Sequence, residues 1–168
     1  MGTTPVVVRS TVDADMPAIT KIFAAEVLHG TASWAYIPPT QQEMTDKLHR
    51  LSADNYPCLT AQLDDQIVGF CFASAYRPRQ GYRYLVEDSI YVREDFRRHG
   101  VASQLLAVLI NDCSAKGYRQ MIAVIGDSEN TGSITLHQRM GFSHAGLLKN
   151  VGYKFDRWLD SVLMQREL

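Results

Sequence analysis

The chain has 168 residues, 46% hydrophobic and 21% charged, which is typical of one globular domain (residues 1–168) with its own core. Seventeen basic and eighteen acidic residues give a net charge of −1, which argues against a broad surface for nucleic acid or anionic lipid. The N-terminus lacks a leader-like pattern, and the apolar runs are shorter than the roughly 20 residues of a membrane helix, so we expect a cytoplasmic protein without a membrane partner.

The first forty residues are predicted to form a strand, a helix and a loop. Three consecutive valines at 6–8 favour a strand. Positions 11–28 carry apolar residues near helical spacing, and Thr11 or Asp13 could cap the start of that helix. Residues 30–39 include glycine, serine and two prolines, which is typical of a loop.

A second helix and three strands are predicted next. Thr40 and Glu43 have the spacing of a capping box at the start of a short helix. Two apolar stretches joined by a polar turn predict a hairpin at 58–63 and 67–76. Residues 84–92 predict another strand, which ends before a charged turn.

The remaining residues are predicted to contain two helices and three strands. Gly100 opens a long helix that ends near Gly117, a β-rich run follows, and a shorter helix ends at Gly141. Two extended stretches lie around 151–155 and 159–164. The order β-α-α-β-β-β-α-β-α-β-β predicts an α/β (α+β) fold in which helices cover the faces of one mixed sheet.

Two adjacent acidic residues, Glu87 and Asp88, lie inside the predicted strand 84–92, where acidic residues are depleted. Because strand side chains alternate, the two carboxylates should point to opposite faces of the sheet. One of them would then be partly desolvated with a raised pKa, which suits a general base. The alternative is an edge strand with two solvated acids.

A basic turn with a glycine follows that strand and opens the long helix. Backbone N–H groups at a helix N-terminus bind phosphate, and Arg97, Arg98 and His99 add side-chain donors. Taken alone, so short a pattern is also compatible with an ordinary helix start. The three cysteines, Cys58, Cys71 and Cys113, form no C-x-x-C pair, so we expect reduced thiols and no metal site.

Two motifs resemble those of the GNAT superfamily of N-acetyltransferases. The pattern [QR]-x-x-G-x-[GA] is present as Arg97-x-x-Gly100-x-Ala102. Segments within 86–92, 117–130 and 151–160 resemble the branch with phosphinothricin and methionine sulfone/sulfoximine acetyltransferases, in a match that runs from Val8 to Leu168. The second motif, N-x-x-[AS]-x-x-[LF]-[YH]-x-[KR]-x-G-[FY], is matched by Asn130, Ser133, Leu136, His137, Arg139, Gly141 and Phe142.

The resemblance implies the GNAT fold, a mostly antiparallel twisted sheet of about seven strands flanked by about four helices. It also implies acetyl-CoA as the donor, bound between two parallel strands, and no metal. The cofactor contacts implied by the resemblance are Ile90, Tyr91, Val92, Arg97, Arg98, His99, Gly100, Val101, Ala102, Ser103, Asn130 and Ser133.

The resemblance also implies catalytic roles. Glu87 would remove a proton from the acceptor amine, directly or through a water. His137 stands where many relatives carry Tyr, and it could protonate the departing thiolate near neutral pH. The alternative for His137 is a packed helix residue with a satisfied ring.

The acceptor site is expected near the end of the predicted hairpin. Arginine binds a carboxylate through two parallel hydrogen bonds, which suits an amino-acid acceptor, although a solvated basic turn is the alternative. Phe23, Glu26 and Tyr36 could also wall this pocket. The implied acceptor contacts are Arg77, Pro78, Arg79, Glu87, Asp88, Ser89 and Trp34.

The implied activity is transfer of an acetyl group to the α-amino group of a phosphinothricin, methionine sulfoximine or methionine sulfone type acceptor. Two alternatives keep the acetyl-CoA site: an acetyltransferase for a protein N-terminus or polyamine, and a non-catalytic acyl-CoA sensor. Relatives in this branch imply a homodimer. A P-loop NTPase is excluded because no G-x-x-x-x-G-K-[ST] occurs.

Overall fold

The computed structural model describes residues 5–168. Residues 1–4 lie outside the described part, although the expected domain and the N-terminal stretch considered above include them. The elements follow the predicted order. The helices are α1 (Met16–His29), α2 (Gln41–Ala53), α3 (Val101–Ala115) and α4 (Thr131–Arg139). The strands are β1 (Val7–Ser10), β2 (Cys58–Leu63), β3 (Gln66–Ala75), β4 (Leu85–Val92), β5 (Gln120–Gly126), β6 (Ser143–Lys154) and β7 (Arg157–Glu167).

The seven strands form one sheet in the order β1-β2-β3-β4-β5-β7-β6. Strands β4 and β5 run parallel, whereas each other pair of neighbours is antiparallel. The parallel pairing is short, since only 85–87 are in register with 120–122. The two strands separate beyond that point. This mixed, mostly antiparallel sheet with four α-helices confirms the predicted fold class.

Helices cover both faces of the sheet, and each face has its own core. On one face, α1 and α2 pack against Phe70 and Phe72 of β3. On the other, buried side chains of α3 such as Leu105 and Leu109 pack with Val86 of β4. Within the described residues, no helix is long and apolar enough to cross a membrane.

Helix α1 begins later than the sequence predicts, at Met16 instead of Thr11. The Thr11 hydroxyl lies 2.9 Å from that of Thr60 on β2, which keeps Thr11 beside the sheet. Asp15 is the N-cap residue, so both predicted caps, Thr11 and Asp13, were wrong. The Asp15 carboxylate accepts hydrogen bonds from Arg9, at 2.7 and 2.8 Å, and so ties the helix start to β1.

The capping box of α2 is confirmed, because Thr40 Oγ1 accepts from the Glu43 N–H and Glu43 Oε2 accepts from the Thr40 N–H. Strand β6 is much longer than the predicted 151–155. It is an edge strand with two irregularities in its register, and it exposes most of its side chains. Bulges break the two-residue alternation on which a sequence-based strand prediction depends, so its first half was missed.

Candidate active site

A cleft of about 1250 Å³ opens where β4 and β5 separate. Its walls come from β4, the turn before α3, the end of β5 and the first turns of α4. Strand β4 pairs with β5 only as far as Glu87, whereas it pairs with β3 as far as Val92. At residues 90–92, the edge of β4 that faces away from β3 is therefore turned toward the cleft. Backbone N–H and C=O groups on such an edge can pair with an extended ligand, as they would with another strand.

The structure brings most of the predicted site residues together around this cleft. Glu87, Asp88, Ser89 and His137 line it. His99 is outside the lining, and its Nδ1 lies 2.8 Å from the carbonyl oxygen of Arg97. The predicted cofactor contacts that line the cleft are Ile90, Tyr91, Val92, Arg97, Arg98, Gly100, Val101, Ala102, Ser103, Asn130 and Ser133.

The turn before α3 has the geometry of an anion site. Arg98 and Gly100 both adopt left-handed backbone conformations, with φ of 65° and 78°, and α3 starts immediately afterwards. The first N–H groups of a helix have no partner within the helix and carry positive partial charge, and Arg98 adds a full charge. An extended arm on β4 and a pyrophosphate on this turn therefore fit the residues present, as acetyl-CoA requires.

Asn130 acts as the N-cap of α4, since its Oδ1 accepts from the N–H of Ser133 at 3.2 Å. This cap explains why α4 begins at Thr131. The cap uses only the amide oxygen of Asn130. The Nδ2 group of the same side chain, on the cleft wall, takes no part in capping.

Glu87 and Asp88 point to opposite faces, as the strand alternation predicts. Burial and the charge of Asp88 together raise the pKa of Glu87 to about 7, although the charge of Lys47 on α2 opposes this rise. A carboxyl group with such a pKa is partly ionised at neutral pH and can accept a proton. Its position at the end of the β4–β5 pairing makes Glu87 the group on this cleft with the properties of a general base.

Asp88 forms a buried pair with His137 on the α4 side of the sheet. Oδ2 of Asp88 lies 3.1 Å from Nε2 of His137, and the two side chains are 3% and 5% exposed. On the opposite side of the ring, Nδ1 lies 2.7 Å from the carbonyl oxygen of Ser133, which can only accept, so Nδ1 carries a proton. The pair therefore holds a further proton between Nε2 and the carboxylate.

The remaining predicted acceptor residues lie outside the cleft. Arg77, Pro78 and Arg79 are exposed in the segment after β3. Trp34 packs behind the cleft wall, with its indole directly against Gly126 and Gly152. A Cβ atom added to either glycine would lie only 2.6–2.7 Å from the indole. The structure thus separates these four residues from the carboxylates that they were grouped with.

Several groups around the cleft were missed by sequence reasoning. Asp127 is buried at the end of β5, and its carboxylate lies 2.5 Å from the guanidinium of Arg157 on β7. Lys154 is 2% exposed, and Lys47 lies 4.5 Å from the centre of the Phe72 ring. Charged residues on an exposed strand or helix are normally solvated, so nothing in the sequence distinguished these from surface residues.

Comparisons with known proteins agree with this geometry. The model of the acetyltransferase (GNAT) family matches residues 24–142. Phosphinothricin N-acetyltransferase of Alcaligenes faecalis is 46% identical over 161 residues, covering 96% of this chain and 82% of the relative. L-methionine sulfoximine/L-methionine sulfone acetyltransferase of Pseudomonas aeruginosa is 38% identical over 156 residues, covering 92% and 90%.

A solved structure shows the same fold. It is a GNAT superfamily phosphinothricin acetyltransferase from Sinorhizobium meliloti in complex with acetyl-CoA, with a TM-score of 0.94 and 41% identity. The match covers 97% of this chain and 88% of that one. With the family model covering most of the chain and these relatives covering nearly all of it, the chain belongs to the acetyltransferase (GNAT) family.

Proposed function

We propose that the protein transfers the acetyl group of acetyl-CoA to the α-amino group of a small amino-acid-like acceptor of the phosphinothricin, methionine sulfoximine or methionine sulfone type. The observation that carries this proposal is the position of Glu87, with a pKa of about 7, at the point where β4 separates from β5. The activities named for the two relatives support the acceptor class.

The donor would be held by backbone as much as by side chains. Residues 90–92 would pair with the pantetheine arm, and the turn at 98–103 would bind the pyrophosphate, with Asn130 and Ser133 on the opposite wall. When bound, acetyl-CoA supplies the activated thioester. A backbone N–H near Val92 would polarise its carbonyl group, a task that needs no titrating side chain.

Glu87 would take the proton that the acceptor ammonium must lose before its nitrogen has a lone pair for attack. The direct attack of that nitrogen on the thioester forms the amide bond and breaks the carbon–sulfur bond, so the departing thiolate needs a proton. We assign that proton to His137, because the Asp88–His137 pair holds one at the cleft wall.

The acceptor carboxylate would be bound by Arg77 or Arg79, or by both. These side chains are exposed, so neither is committed to a structural ion pair, and each offers a planar, bidentate donor. Because both arginines lie outside the lining of the cleft, the segment after β3 would turn toward the acceptor, with Ser89 of the lining as a further contact.

A polyamine acceptor is less well supported. Such a substrate needs unpaired acidic walls, but two of the cleft acids are paired with basic neighbours: Asp88 with His137 and Asp127 with Arg157. The acyl-CoA sensor is also less well supported, because a sensor does not need a carboxyl group with a pKa of about 7 at the position of Glu87. A protein N-terminus keeps the same chemistry and is distinguished by experiment.

We also propose a cytoplasmic homodimer of one-domain chains. Strand β6 lies at the edge of the sheet, and the β6–β7 hairpin exposes six large apolar side chains. An exposed edge strand and exposed apolar side chains both favour association with a second copy. This β6–β7 apolar surface consists of Leu147, Leu148, Val151, Tyr153, Phe155 and Trp158, which are 45–63% exposed.

The test is release of free CoA from acetyl-CoA with a panel of acceptors, with the acetylated product identified by mass. The panel contains phosphinothricin, methionine sulfoximine, methionine sulfone, common L-amino acids, a polyamine and a peptide with a free N-terminus. We expect fast turnover with the glutamate and methionine analogues and little with the polyamine or peptide. Tight binding of acetyl-CoA without turnover of any acceptor would favour the sensor instead.

A further inference from the structure

Glu26, in the last turn of α1, contacts two separate parts of the cleft. Its Oε2 lies 3.1 Å from the guanidinium of Arg97, at the start of the turn before α3. Its Oε1 accepts a hydrogen bond from the backbone N–H of Ala32 at 2.9 Å. Only 11% of the Glu26 side chain is exposed, although the Arg97 side chain is 54% exposed. One buried carboxylate therefore joins the turn to the loop that follows α1.

The shape of that loop depends on the carboxylate. A Cβ atom at Gly30 would lie 1.8 Å from Oε1 of Glu26, so the carboxylate packs directly against the backbone at position 30. We call residues 30–34 the α1 loop. Its first residues line the cleft opposite the turn.

The α1 loop is held from its other side by Lys154. The Lys154 ammonium donates to the carbonyl oxygens of Gly30 and Ser33, at 2.7 and 2.6 Å. At its far end the loop is fixed by Trp34, whose indole packs on Gly126 and Gly152. These groups hold the loop against β5 and β6, and within the described residues Glu26 joins it to the turn before α3.

We propose that Glu26 is a positioning residue that couples the occupancy of the turn to the geometry of the α1 loop. A pyrophosphate on the turn attracts the Arg97 guanidinium and weakens its pairing with Glu26. The carboxylate then acts more strongly on the Ala32 N–H and tightens the loop side of the cleft. Acceptor affinity consequently rises once CoA is bound, by about fivefold or more, the usual range of coupling between two sites. This consequence rests on the proposed function, because it takes the loop side as the acceptor side.

Trp34 provides a direct readout of the loop that needs no acceptor. The chain has two tryptophans, so Trp158→Phe leaves Trp34 as the single indole. Titration of this variant with CoA should give a saturable change in Trp34 emission. The change should be lost when Glu26→Ala is added, while calorimetry shows that CoA still binds. A silent Trp34 despite CoA binding, or an unchanged response without Glu26, would overturn the proposal.

Steady-state kinetics separate positioning from simple structural support. Glu26→Gln retains an acceptor for the Ala32 N–H but loses the charge that pairs with Arg97. We expect the acceptor KM at saturating acetyl-CoA to rise at least fivefold, with kcat within about threefold of the parent. Glu94→Gln is the matched control, since it removes an exposed carboxylate outside the lining of the cleft, and its acceptor KM should stay unchanged.

The outcomes distinguish this inference from the function on which it rests. An unchanged acceptor KM in Glu26→Gln, or an equal rise in the control, overturns the coupling alone. A parent protein that binds CoA but turns over no acceptor contradicts the proposed function, and the Trp34 titration then still decides the coupling. A parent that binds no CoA contradicts both.

Discussion

Nε2 of His137 lies 3.1 Å from Oδ2 of Asp88, with both side chains buried between β4 and α4. Burial alone lowers the pKa of this histidine, but the hydrogen bond and charge of Asp88 outweigh it, so the pKa of His137 is raised. The imidazolium form is therefore maintained at a higher pH than in a solvated histidine. This pairing gives the cleft wall a proton that an isolated buried histidine would not hold.

Asp88→Asn should lower the pKa of His137, because the substitution leaves the cost of burial and removes the compensating charge. Titration of the histidine ring signals by NMR measures this shift. An unchanged His137 titration would show that Asp88 does not stabilise the charged ring.

The Asp88–His137 pair also makes the stability of the folded protein depend on pH. A histidine with a raised folded-state pKa contributes stability that is fully present below its unfolded-state pKa and is lost as pH rises through its folded-state pKa. That part of the decrease in stability above neutral pH should be absent in Asp88→Asn. Denaturant unfolding at several pH values, for the parent and the variant, measures the difference.

Replacing Arg77 and Arg79 together by Ala should raise the acceptor KM about tenfold or more while the KM for acetyl-CoA changes little. The reason is the loss of charge-assisted hydrogen bonds to the acceptor carboxylate, each worth about 1.5–3 kcal/mol. Arg50→Ala, which removes an exposed arginine from α2, is the control. If the KM for acetyl-CoA rose more than that for the acceptor, the carboxylate site would lie elsewhere.

The β6–β7 apolar surface should carry the dimer contact. The double variant Leu148→Glu and Val151→Glu should be monomeric at micromolar concentration, since it places charges in a desolvated interface. Light scattering of the parent and the variant measures the mass. Leu28→Glu, at a site that is 50% exposed on α1, should leave the dimer intact. A monomeric parent would contradict the proposed assembly.

The pH dependence of turnover should follow Glu87. A base acts in its ionised form, so kcat/KM should rise with pH through an apparent pKa of about 7. Because the positive charge of Lys47 lowers the pKa of Glu87, Lys47→Met should move this rise to higher pH. The methionine retains the packing on Phe72, and Lys21→Met on exposed α1 is the control. A rise that stays in place would exclude Lys47 as a modulator.

The sequence was sufficient for the order of the elements and for the cleft-lining residues that belong to recognisable patterns. Glu87 and Asp88 stood out because acids are depleted in strands, and Arg97 to Ala102 because glycine and basic residues open a helix. Both patterns are local, so they can be read from neighbouring residues along the chain.

The pairings around the cleft could not be read in that way. Asp88 and His137 are 49 residues apart, and Glu26 and Arg97 are 71 apart. Lys154 looked like a solvated strand residue, but the α1 loop folds over it and supplies two carbonyl oxygens. Such pairs arise from the tertiary fold, which a periodicity within one element does not encode.

The most direct test of the account is the rate of CoA release by Glu87→Gln with methionine sulfoximine or phosphinothricin as acceptor. Glutamine keeps the size of the side chain but cannot accept the proton, so kcat should fall about 10²- to 10⁴-fold while the dissociation constant of acetyl-CoA stays within a few fold. The control Asp65→Asn, in the exposed β2–β3 turn, should match the parent. A kcat for Glu87→Gln equal to that of the parent would contradict the assignment of Glu87 as the base.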